Sequence, residues 1–188
     1  EFLEHGFQNA NLRRISSESG VSTGSIYTRF GDKAGLFSAV VKPAADGLME
    51  LYLESITAAR ESGDPAEATT QGNEGTELVL KYIYENFDVF KLIFCHSAGT
   101  EYERYFDELA EIEEKYYREF VKQFSRRENM VSDFFIHVIC RTGWSYIYEV
   151  VSHDLSYDEA QIFMKSIREF CFAGWGKVLG QNYEDLGL

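Results

Sequence analysis

GVSTGSIYTRFGDKAGLF, residues 20–37, is the stretch from which the fold can be read. Five of its first six residues are Gly, Ser or Thr; Tyr27 and Arg29 follow, then Gly31, Asp32 and Lys33. Ser22 suits the N-cap of a helix over Thr23–Phe30, because a short hydroxyl side chain can accept from the N–H groups that a first turn leaves free. Gly31 ends that helix, and Asp32 can cap another. Upstream, Asn11 is a good cap for a helix over Leu12–Ser19, which Gly20 ends. Residues 11–30 thus read as helix, four-residue turn, helix, the sequence form of a helix-turn-helix. Leu12, Ile15, Val21, Ile26 and Phe30 are expected to face inward, with Ile26 and Phe30 four apart on one face.

Outward from this stretch the pattern stays helical. EFLEHGFQ (residues 1–8) reads as the tail of an amphipathic helix stopping near Gly6, so the expectation is that the first helix is truncated at Glu1. Lys33 to Arg60 carries apolar residues at Leu36, Phe37, Val40, Val41, Leu48, Leu51, Tyr52 and Ile56. Pro43 inside it is expected to kink the helix or split it. Residues 61–76 (ESGDPAEATTQGNEGT) read as a loop by composition. Helices are expected over 77–96, 102–126, 132–152 and 157–179, with breaks at SAGT, RREN and SHDLS. No strand alternation or internal repeat stands out. The fold expected is all-α: an N-terminal three-helix helix-turn-helix domain, residues 1–43, joined by a long helix to a C-terminal helical ligand-binding and dimerisation domain, residues 44–188.

The chain has 188 residues, 45% of them hydrophobic and 15% aromatic, enough for a globular core. Its net charge of −13 taken whole argues against nucleic acid, but the charge is unevenly placed. Residues 1–43 hold five basic and four acidic residues; the remainder holds 13 basic and 27 acidic. Such asymmetry points to two jobs in one chain. No run of 18 apolar residues marks a membrane span, and no signal peptide is evident, so a cytoplasmic protein is expected. The three cysteines, none in a CxxC, read as buried reduced thiols. No HExxH, GxSxG, Walker loop or DxDxDG supports catalysis. Cys95 and His96 are neighbours about 100° apart on a helix and form no dyad by themselves. An enzyme, a cofactor and a metal site are not expected.

A helix-turn-helix inserts the N-terminal end of its second helix into the major groove, where close approach demands small side chains. Thr23, Gly24 and Ser25 supply them. Free N–H groups there favour phosphate, and the hydroxyls of Ser22 and Thr23 can join them. With Ile26 and Phe30 inward, Tyr27 points outward to a phosphate and Thr28 to a base edge or thymine methyl. Arg13, Arg29 and Lys33 flank the helix for backbone contact.

The run Gly6-Phe7, Ile15, Gly20-Val21-Ser22, Gly24-Ser25-Ile26-Tyr27, Phe30, Lys33 and Leu36-Phe37 closely resembles the N-terminal domain of tetracycline-repressor-type (TetR family) regulators. Two departures stand out. The longer first helix and basic arm usual in the family do not precede Glu1, and Ala10 occupies a position where threonine is common. The resemblance implies a homodimer on a palindromic double-stranded DNA operator, joined through the last two helices of each subunit. Residues 134–151 and 167–179 fit, being too apolar for a free surface; Phe134, Trp144, Tyr148, Phe170, Gly174 and Trp175 are the expected contacts. It also implies a small-molecule effector among the aromatic-rich middle helices, with Phe90, Phe94, His96, Tyr102, Tyr105, Phe120, His137 and Arg141 as candidate lining. The acidic runs EIEEKYYREF and YDEAQ are expected to be mostly a solvated face, an acidic pocket for a cationic apolar ligand being the other reading. The function expected is a ligand-released transcriptional repressor; the alternative is an all-α small-molecule-binding protein whose helix-turn-helix no longer reads DNA.

Overall fold

A computed structural model describes residues 1–61, 65–125 and 131–180, and among these residues it contains nine α-helices, one 3₁₀ turn and no strand. The helices are α1 (Phe2–Asn9), α2 (Leu12–Ser19), α3 (Thr23–Phe30), α4 (Lys33–Glu61), α5 (Pro65–Glu85), α6 (Phe87–Cys95), α7 (Tyr105–Phe124), α8 (Asp133–Ser152) and α9 (Tyr157–Leu179), with the 3₁₀ turn at Glu101–Arg104. Among the described residues, no helix is long and apolar enough to cross a membrane.

The caps at Asn11 and Ser22 are those the sequence predicts. Asn11 Oδ1 accepts from the Arg13 N–H at 2.9 Å to start α2, and Ser22 Oγ accepts from the Ser25 N–H at 3.1 Å to start α3. Ser156 and Glu159 close a reciprocal capping box at the head of α9. Gly6 breaks the helical backbone of α1 at φ 68° and ψ 168°, and the freed Phe7 N–H donates to the His96 carbonyl at 2.9 Å. That bond ties the N-terminal segment to the end of α6.

Three expectations fail. Residues 65–76 are helix, not loop: Pro65 stands at the first helical position, where a missing N–H is harmless, and Glu67 complements the dipole of the first turn. Residues 62–64 of the expected loop lie outside the described residues, as does the break at RREN. The helix expected over 77–96 is two, because Asn86 leaves helical geometry (φ −125°, ψ 35°) and its amide donates to the Tyr82 carbonyl at 3.0 Å. Of the two outcomes expected at Pro43 the split does not occur: α4 runs through it as one helix, the proline is exposed, and so is Ala39, whose carbonyl loses its helical donor there. Val21 is 45% exposed rather than inward. The turn is held instead by its backbone, the Val21 carbonyl accepting from Ser16 Oγ at 2.6 Å.

The core runs through the long helices. α4 packs along α5 and α7 along α8, with α6 touching both α4 and α8. Leu48, Ile83, Phe90, Leu109, Val150 and Val151 are fully buried there. Each such side chain contributes about 1.5–3 kcal/mol relative to exposure. At the other end Phe37 is 0% exposed, with Phe2, Phe7 and Tyr102 around it at ring-centroid distances of 5.1, 5.5 and 6.2 Å.

α4 and α5 approach closely because glycine faces them in two places. A Cβ on Gly47 would stand 2.2 Å from the Tyr82 hydroxyl, and one on Gly75 would stand 2.8 Å from Ser55 Cβ. Gly47→Ala is therefore expected to destabilise the fold by about 1–3 kcal/mol, overpacking outweighing the gain in helix propensity. Adding Tyr82→Phe removes the clashing oxygen and should recover part of the loss; thermal melts of the single and double variants check this.

Candidate nucleic-acid interface and interior cleft

α3 presents the face the sequence predicts. Ile26 is 4% exposed and turned inward, while Tyr27 is 53% exposed and Ser22, Gly24, Ser25, Thr28 and Arg29 are all open to solvent. Thr23 is half-buried. Two hydroxyls are already committed to the helix. Ser22 Oγ caps it and lies 2.9 Å from Ser25 Oγ, and Thr28 Oγ1 donates to the Gly24 carbonyl at 2.9 Å. The Thr28 methyl and lone pairs remain for a base edge, and its proton does not. The Arg29 guanidinium lies 5.4 Å from the Phe30 ring centroid, and Arg13 is exposed on α2.

Lys33 is a correction. Its ammonium donates to the carbonyls of Gln8 at 2.9 Å and Ala10 at 3.2 Å, over the Phe7 ring at 4.8 Å. It closes the C-terminal end of α1 against the start of α4, a fold contact where a phosphate contact was expected. Arg14 is likewise engaged, 2.6 Å from His5 and 3.5 Å from Glu1.

The expected ligand set separates. Phe90 is core. Tyr105 is also buried and donates to the Ala45 carbonyl at 2.6 Å; burial raises its hydroxyl pKa far above the usual value. The Tyr102 hydroxyl meets Ser38 at 3.2 Å beside Phe37. His96 sits at the α1–α6 joint, its imidazole facing Gly6, and burial lowers its pKa. His137 lies 2.7 Å from Glu114, which also receives Arg118 at 3.0 Å. Phe120 packs on Tyr116 and Tyr117. Only Phe94 and Arg141 of that set line a common cleft.

That cleft, of about 210 Å³, is bounded by Phe94 of α6, Phe106, Asp107 and Ala110 of α7, and Arg141, Trp144, Ser145 and Tyr148 of α8. Phe94 stacks on Phe106 at 4.2 Å, and Trp144 and Tyr148 meet Phe106 edge-on. Arg141 pairs with Asp107, and this hydrogen bond holds the Asp107 carboxyl below its ordinary pKa. Of the expected interface residues, Trp144 is 5% exposed and belongs to this interior. Trp175 stacks on Tyr117 at 4.9 Å within the subunit. Phe134 and Phe170 are 75% and 72% exposed, Tyr148 37%, and Gly174 open.

Behind Trp144 lie polar groups that the sequence reading missed. Tyr52 Oη, Glu113 Oε2, Trp144 Nε1 and Arg141 Nε are buried with no hydrogen-bond partner. The indole N–H faces both Tyr52 and Glu113 yet bonds neither with normal geometry. Burial pushes Glu113 up to about 8. The run EIEEKYYREF is therefore not all solvated face: Glu114 is 6% exposed and Glu113 points into the bundle. The signal was there in spacing, because Leu109, Glu113 and Tyr117 recur every four residues on one face of α7.

Residues 1–40 match the family described as bacterial regulatory proteins, tetR family. The chain is also similar to proteins described as the HTH-type transcriptional repressor AcnR. The likeness is 39% identity over 54 residues to that of Corynebacterium glutamicum, covering 29% of this chain and 29% of that protein. It is 39% over 54 residues, with the same coverage, to that of Corynebacterium efficiens. To that of Corynebacterium diphtheriae it is 37% over 54 residues, 29% of this chain and 28% of the relative. The chain thus spans under a third of the length of the relatives it matches. No solved structure matches it significantly.

The unpartnered carboxyl has a measurable cost. The folded state holds the Glu113 proton up to about pH 8, whereas the unfolded state releases it near 4.5, so folding binds a proton in between. Stability should therefore fall as pH rises from about 5 to 8, by up to about 1.4 kcal/mol per unit from this group. Glu113→Gln removes that slope and should melt higher than wild type at pH 8; urea titrations of both proteins across the range check it.

Proposed function

We propose that this chain, whose residues 1–40 match the family described as bacterial regulatory proteins, tetR family, is a dimeric, ligand-responsive DNA-binding transcriptional repressor. The observation that carries the reading is α3: a short, small-residue helix start, exposed, on a helix-turn-helix of this family. Residues 1–43 read the operator and residues 44–188 dimerise and bind an effector. Arg13, Ser22, Thr23, Gly24, Ser25, Tyr27, Thr28 and Arg29 form the DNA-facing set, and Lys33 acts behind them by holding α1 to α4. The dimer forms through one stripe of α8, with Phe134, Val138 and Tyr148, and the exposed Ile162 and Phe170 of α9. Arg141 and Ser145 of the cleft share the α8 stripe, so an effector there lies beside the subunit interface.

An effector acts only through its preference for one conformation over another. α4 carries that preference, since Lys33 and Phe37 at its head grip the reading domain and Tyr52 further along touches Trp144 at the cleft wall.

Selection from random duplexes at moderate and high salt tests the reading. A palindrome with half-sites about one helical turn apart, lost at high salt, is expected; no enrichment would favour a small-molecule-binding protein with an idle helix-turn-helix. Tyr27→Ala should weaken binding to every sequence, whereas Thr28→Ala should relax or shift preference at one base position, by about 1–3 kcal/mol. Phe170→Asp should give monomers in sedimentation and lose operator binding with them.

A further inference from the structure

We infer that the cleft between α6, α7 and α8 takes a small aromatic or apolar organic cation, with Glu113 as its counter-charge; this rests on the effector-binding reading above. The cleft walls are ring faces: Phe94, Phe106, Trp144 and Tyr148. Faces of this kind carry partial negative charge and attract alkylammonium groups. Behind the Trp144 wall, the Glu113 carboxyl is buried with one oxygen unpartnered, and among the described residues no cation pairs with it. Ala110 on the cleft wall is one turn from Glu113 on α7, and that oxygen lies against Gly143, next to Trp144, 3.8 Å from where a Cβ would stand. Tyr52 packs on the other side of the indole at 5.0 Å, its hydroxyl also unpartnered. A bundle interior seldom tolerates such a group without use, because an unsatisfied buried polar atom is costly.

The charge balance selects the sign of the ligand. Arg141, the one cation on the cleft wall, is neutralised by Asp107, itself also reached by Arg104. What remains inside is the Glu113 carboxyl, uncharged until it loses its proton near pH 8, while the chain beyond residue 43 is acidic. A field of that sign concentrates cations and repels anions. An anionic ligand would gain nothing from Glu113 in either protonation state; a cation against Trp144 would lower the free energy of the ionised carboxyl. Binding then ionises Glu113 and releases its proton to solvent.

The groups packed around Glu113 leave it as the titrating partner. Tyr52 of α4, Tyr116 and Tyr117 of α7, Cys140 of α8 and Cys171 of α9 are all pushed above their ordinary values, by burial first and by the Glu113 charge second. Glu114 is turned to Arg118 and His137, and Asp107 to Arg141.

Calorimetry and tryptophan fluorescence on the full chain, without DNA, test this with phenyltrimethylammonium, whose charge does not depend on pH, and its neutral isostere tert-butylbenzene. The cation should bind tighter than the isostere, tighten between pH 6 and 9, and release protons on binding. Glu113→Gln, confirmed folded by its melt, should weaken the cation roughly tenfold or more at pH 9 and flatten its pH profile, while leaving the isostere unchanged. Absence of cation binding, equal affinity for both probes, or an unaltered cation affinity in Glu113→Gln would each overturn the inference. Because no operator is present, these results stand apart from the DNA selection, which decides the repressor reading alone.

Discussion

Burial of the Phe37 ring is the constraint from which the two halves of this molecule take their arrangement. The ring is fully enclosed where α1, α4 and the 3₁₀ turn meet, with Phe2 and Phe7 on one side and Tyr102 on the other. Edge-to-face aromatic contacts of this kind add about 0.5–1.5 kcal/mol each beyond the area they bury. The backbone bond from Phe7 to His96 and the Lys33 clamp on the end of α1 lie against the same knot. Among the described residues, α2 and α3 otherwise reach the body chiefly through α3 against α4, with α2 packed on α3. Removing this knot would leave a helix-turn-helix hanging on the first turn of α4.

Local signals in the sequence were legible where a single residue sets a single geometry. Asn11, Ser22 and Asp32 cap the helices they should, and Gly6, Gly20 and Gly31 end helical backbone where they stand. Composition misled at residues 65–76 because a glycine there serves contact, not turning: Gly75 admits Ser55, which only the packing of α4 on α5 can reveal. The missed break at Asn86 has a similar cause, its amide turning back onto α5.

The exposed set on α3 was readable because which side chains face solvent there follows from the spacing of eight residues. Lys33 escaped because a basic residue beside a recognition helix is ambiguous until the carbonyls of Gln8 and Ala10 are placed near it. The interior set was mostly unreadable, since an aromatic at helical spacing says that it is buried but not whether it faces a gap. Phe90 and Phe94 lie on one short helix, one in solid core and one on a cleft wall. Glu113 differs: an acid in the middle of the apolar face of α7 breaks a pattern, and broken patterns in a foldable sequence mark places where something other than packing is at work.

α2 buries no residue fully, and α3 buries only Ile26. Two short helices with so little enclosed surface rest at the low end of the local-stability range within one protein. Their amides should exchange with solvent through small openings that leave α4 to α8 closed, a gradient of protection running from the reading head into the bundle. A head held this lightly costs little to reshape against a duplex, and for the same reason it is the first part of the molecule that warming loosens.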